Sequence, residues 1–161
     1  MKILISAALT WLAAAPAQAA TMAIAELEYV DTSGEAKDQS ADHQRRMALF
    51  AAALRRDLEA AGFRFVAIKC DGGPCGSGDN PVTIQAAARA AGAKYVFLGG
   101  VHKMSTLLQW GKFQIVDEEA GRIALDRLIT FRGDTDEAFA RAEAFMAKEI
   151  LDPAKGIVAA K

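Results

Sequence analysis

Carboxylates gather in two short stretches, Asp31 to Glu35 and Asp134 with Asp136 and Glu137. Hard cations such as calcium require several oxygens converging on one point, so Asp31, Glu35, Asp134, Asp136 and Glu137 form one candidate metal set. The spacing is not that of an EF-hand, and the second stretch also suits helix capping, with Asp134 at the cap and Glu137 three residues on. A second candidate set is cationic and polar. Lys103, Ser105 and Arg132 fall at or near expected strand ends and would form a binding site if the flanking strands met, while Trp110, beside Lys112 and Gln114, offers an aromatic anchor for a partner. The cysteines, Cys70 and Cys75, are five residues apart in a glycine-rich stretch. In an exported chain they are expected to form a local disulfide.

Other chemistry is excluded by spacing. His102 and Ser105, three apart on a strand, point to opposite faces, and no Gly-x-Ser-x-Gly elbow is present. Neither cysteine spacing with His43 or His102 matches a zinc module. The loop Asp71 to Asp79 lies between strand and helix signals but lacks the Gly-Lys-Ser/Thr ending of a phosphate cradle, and it carries two aspartates where an anion would sit. No catalytic residue and no cofactor are therefore assigned.

The elements that must position these residues follow from periodicity. Lys94 to Leu98 is apolar on both alternating faces, which marks a strand covered on both sides and hence the centre of a sheet. Beyond Gly99-Gly100, Val101 and Lys103 face one way and His102 and Met104 the other. A first strand is expected over Thr21 to Val30. Then come a helix opened by Ser40 with Met47, Phe50, Leu54 and Leu58 on its buried stripe, a short strand over Phe63 to Ile68, and a helix opened by Asn80-Pro81. The arginines at 45, 46, 55 and 56 are expected on the solvated side of the first helix. Trp110 to Asp117 and Arg122 to Phe131 complete an antiparallel meander, and Ala138, Ala142, Phe145, Met146 and Ile150 mark a last helix stopped by Pro153. The expected fold is α/β (α+β), a five-stranded mixed sheet with element order β-α-β-α-β-β-β-α and helices packed on the sheet.

Lys2, an apolar run from Ile3 to Ala15 and the small-x-small site Ala17-Gln18-Ala19 have the layout of a secretory signal peptide. The run is shorter than the roughly twenty residues that cross a bilayer. The expected organisation is a signal peptide at 1–19, a single domain at 20–152 and a flexible tail at 153–161, with a periplasmic location and no integral membrane segment in the mature chain. A net charge of −1 over 161 residues argues against a nucleic-acid partner.

The pieces Val30-Asp31-Thr32-Ser33-Gly34, Gly92 to Val96, Gly100 to Ser105 with Leu107, Asp117 with Gly121-Arg122, and Arg132 to Glu137 resemble an uncharacterised bacterial family of exported proteins, a domain of unknown function. More remotely, the element order is similar to the α/β domains at the amino terminus of the Tol-system protein TolB and in the curli secretion channel lipoprotein. The resemblance implies a non-catalytic accessory or docking module whose partner is another periplasmic or envelope protein. The alternative is a periplasmic protein that binds a small ligand or a metal ion.

Overall fold

The computed structural model describes residues 19–157, so the expected leader lies, up to residue 18, outside the described residues. Strand β1 (Thr21–Ile24) and strand β2 (Glu28–Asp31) take the place of the single expected first strand. Both run parallel to β6 (Tyr95–Lys103), β1 beside its first half and β2 beside its second. The handover falls at Gly99-Gly100. A Cβ at Gly100 would lie 2.6 Å from the Glu28 carbonyl oxygen, so only glycine lets β2 close onto β6 there. Between the two segments Glu26 bridges to Gly76 instead.

Helix α1 (Ser40–Ala60) follows β2, and the short β3 (Arg64–Phe65) returns parallel to β1. The small β4 (Lys69–Cys70) and β5 (Gly73–Pro74) pair as a hairpin tied by the Cys70–Cys75 disulfide, and α2 (Pro81–Ala90) comes next. The Asn80 side chain accepts a hydrogen bond from the Val82 N–H at 2.9 Å, the expected cap. Strands β7 (Leu108–Asp117) and β8 (Arg122–Arg132) then complete the meander, and α3 (Asp136–Leu151) ends the regular elements. The sheet order is β3-β1-β6-β7-β8, with β2 on β6, so the strand expected at the centre is there. Tyr95, Val96 and Phe97 within it are buried.

The faces of this sheet are dressed differently. One carries the main core: Phe113 of the sheet stacks with Phe97 on one side and with Phe50 of α1 on the other, and Met146 and Ile150 of α3 pack into the same cluster. The other carries a smaller cluster in which α2, through Ile84 and Ala88, meets Ala23, Ala25 and Val96.

Local expectations shift at three places. The cap of α1 is Gln39 rather than Ser40, and that of α3 is Thr135, whose hydroxyl accepts from the Ala138 N–H at 3.2 Å, rather than Asp134. The second strand shrinks to two residues. Past Pro153, expected to begin a loose tail, Pro153–Lys155 forms a 3-10 turn and Ile157, only 4% exposed, joins the main core.

Candidate functional site

The carboxyl ends of β2 and β6, the start of β7, the end of β8 and the amino ends of α1 and α3 meet at one edge of the sheet. In open α/β sheets this is where ligands are commonly held. Lys103, the last residue of β6, points into the α1/α3 side with its side chain 0% exposed. Its ammonium lies 2.7 Å from Asp134, 2.8 Å from Glu35 and 3.7 Å from Asp31. His43 of α1 reaches Asp134 at 3.0 Å from Nε2 and stacks on Tyr29, ring centroids 4.1 Å apart. The Tyr29 hydroxyl donates to Gln109 Oε1, and buried Gln109 in turn donates to the Gly133 carbonyl, both at 2.9 Å. Arg46 bonds Asp134 and also Asp136, while Arg45 takes Asp136 in a two-point grip, both contacts 2.8 Å.

The electrostatics follow from these contacts. Burial works to raise the Asp134 pKa, but hydrogen bonds from His43 and Lys103 outweigh it and hold the carboxyl below its ordinary value. Glu35 is held down chiefly by its bond to Lys103, and Asp136 falls to about 2 because Arg45 and Arg46 both grip it. Burial would lower the Lys103 pKa, yet its bonds to Asp134 and Glu35 raise it, so its charge persists. Tyr29 is pushed up by burial and by the neighbouring Asp134 and Asp31 charges, which keeps the phenol protonated. The cluster is a set of ion pairs in which each cation faces a carboxylate.

The metal set therefore converges in part. Asp31, Glu35 and Asp134 do meet, around the ammonium of Lys103; Asp136 turns to the arginines, and Glu137 stays exposed on the first turn of α3. Among the described residues no group of three His, Cys, Asp or Glu side chains is arranged to hold an ion.

The binding set is dispersed. Lys103 is buried on one face, whereas Arg132 pairs in register with Leu108 across β7 and is exposed. Strand β7 separates them, so the first and third strands of the meander do not meet. Ser105 closes the turn after β6, its hydroxyl accepting from the Leu108 N–H at 3.1 Å. His43 and Arg46 were missed as site residues. The signal for His43 was in the helix stripe, since 43, 47, 50, 54 and 58 continue one buried row.

Trp110 and Arg132 lie instead on the second face of the sheet. Register places Leu108, Trp110, Lys112, Gln114 and Val116 of β7 there, opposite Arg132, Thr130, Leu128, Asp126 and Ile123 of β8. Helix α2 covers this face only near β1 and the first half of β6. Val30 is 44% exposed, Ile123 52% and Leu128 63%. A groove of about 330 Å3 runs over Gly99-Gly100 between α2 and the row of Trp110, whose indole sits 5.1 Å from the His102 ring.

The fold has known counterparts. TolB from Acinetobacter baumannii superposes with a TM-score of 0.55 at 17% identity, covering 88% of this chain and 30% of TolB, so the chain spans less than a third of that protein. The hypothetical protein CT253 from Chlamydia trachomatis gives a TM-score of 0.53 at 8% identity over 87% of this chain and 98% of its own. At such identities the likeness concerns the fold alone, and the expected similarity to the TolB-type α/β domain is met. No curated protein matches by sequence. The family model described as Protein of unknown function (DUF2380) matches residues 20–151, nearly all of the described chain, and the protein belongs to that DUF3280 family.

Proposed function

We propose that the protein is exported to the periplasm and serves there as a non-catalytic docking module for another periplasmic or envelope protein, which it receives on the second face of its sheet. The observation that carries this reading is the half-dressed sheet. Exposed Val30, Ile123 and Leu128 flank the Trp110 row, which α2 leaves open. Aromatic anchors amid apolar residues with a polar rim are the composition of a partner-binding patch. Lys112, paired to Asp126, and exposed Arg132 supply that rim. The strand-end cluster supports the same reading from the other side. Its charges are engaged with one another, Lys103 and Arg46 each holding a carboxylate. Among the described residues no helix is long and apolar enough to cross a membrane.

The cation-binding alternative meets a competitor inside the protein. An ion among Asp31, Glu35 and Asp134 would have to displace the Lys103 ammonium, already within 2.8 Å of two of the three. Affinity chromatography of periplasmic extract on immobilised wild type and on a Trp110→Ala, Leu128→Lys double variant tests the docking reading. A stoichiometric partner retained by the wild type and lost by the folded variant supports it; equal retention by both sinks it.

A further inference from the structure

Between α1 and α3, on the side away from the sheet, lies a cleft of about 340 Å3. Leu49, Phe50 and Phe139 form its apolar walls, and the small side chains of Ala53 and Ala140 leave the space open. Glu143 of α3 lines it as well, 4% exposed, with no hydrogen-bond or ion-pair partner for its fully buried Oε1. A buried carboxyl with no partner is costly, and native structures retain few of them.

Arg46 and Arg56 also line the cleft, but each is paired with a carboxylate other than Glu143. Arg56 holds Asp57 at 2.8 Å, and Arg46 holds Asp134 and Asp136. Burial, reinforced by the Asp57 charge and opposed by Arg56, pushes Glu143 up to about 7. A neutral carboxyl is the ordinary response of such a group to the lack of a counter-ion.

From this geometry we infer that the α1/α3 cleft is a binding site for a small organic ammonium ion carried on a short apolar chain, the chain lying along Phe50 and Phe139 and the ammonium pairing with Glu143. The cleft volume falls in the range of small-molecule pockets, which are mostly apolar with a few placed polar groups. Of the charged groups that line the cleft, Arg46, Arg56 and Asp136 are paired and Glu143 is not, so a cation is the ligand that completes the set. Leu49, 53% exposed at the mouth, would be covered by the ligand chain. This site is separate from the sheet face that receives the protein partner.

The test uses n-hexylammonium chloride as probe, with 1-hexanol as its uncharged counterpart, in isothermal titration calorimetry at pH 7. Saturable binding of hexylammonium is expected, at least tenfold tighter than hexanol. Because the ammonium favours the carboxylate, binding should release a proton from part of the Glu143 population, read from the enthalpy difference between buffers of unlike ionisation heat. Glu143→Gln, folded by circular dichroism, should weaken hexylammonium at least tenfold and abolish the proton release. Ala53→Phe fills the cleft with Glu143 in place and should abolish binding of both probes. Equal affinity for hexanol and hexylammonium, unchanged binding in either variant, or no saturable binding at millimolar probe overturns the inference.

Discussion

The two faces of this sheet are built from the same alternating strands and end in opposite conditions. On the first, the side chains of β6 and β7 are sealed: Phe97 and Phe113 are 0% exposed, Phe113 lying against Phe50 of α1, and even the terminal Lys103 is 0% exposed. On the second, α2 is ten residues long and stops short, so Leu128 and Ile123 remain more than half exposed. Free energy of folding resides on the first face, and free energy of binding remains available on the second. A covered face has nothing left to offer a partner; an uncovered apolar row has.

The comparison breaks most visibly under truncation of the covered face. Phe113→Ala removes the ring stacked between Phe50 and Phe97 and is expected to cost about 4 kcal/mol, measured by urea denaturation. Lys103→Met should cost about 3 kcal/mol, because Asp31, Glu35 and Asp134 lose the ammonium they share. Adding Asp134→Asn to that variant should restore part of the loss. Full additivity of the two losses would contradict the clamp assigned to the cluster.

A smaller effect concerns pH. Glu143 holds its proton more tightly folded, at about 7, than unfolded, near 4.5. Its contribution is therefore fully present below about pH 4.5 and lost as pH rises through 7. We expect wild-type stability to fall on the order of 2 kcal/mol across that window, and Glu143→Gln to remove the slope. Asp31, Glu35 and Asp134 carry the opposite sign: their folded values are depressed, so their support is present above the ordinary carboxylate range and lost in acid below it. A wild-type profile flat between pH 4.5 and 7 would contradict the isolation of Glu143. The smallest effect is expected on the bare face, where Leu128→Lys should change stability by less than about 0.5 kcal/mol.

Much of the fold was legible from periodicity, for physical reasons visible at particular residues. Lys94 to Leu98 read as a central strand because burial on two faces leaves no polar alternation, and the return strands of the meander read as such because β7 and β8 each have one wetter face. The split of the first strand was not legible: it depends on which partner β6 offers on either side of Gly99-Gly100, a tertiary fact. The cap of α3 moved by one because Asp134 is drawn to Lys103 and His43, and a buried ion pair outranks a local cap. In the site, the carboxylates were found and their counter-ion was not recognised. Nothing in the alternation distinguishes a lysine at a strand end in water from one folded beneath two helices. Glu143 gave a weak sign: it sits one place from Ala142 and four from Phe139 in the apolar row of α3.

The central claim, that the open face of the sheet receives the partner, is tested most directly by site-specific photocrosslinking in the periplasm. A photoreactive residue is placed in turn at 30, 112 and 128 on the open face, and at 55 and 59 on the outer surface of α1. We predict one discrete adduct of common partner mass from the first three positions and none from the last two. Adducts from positions 55 and 59 with none from the open face would contradict the account.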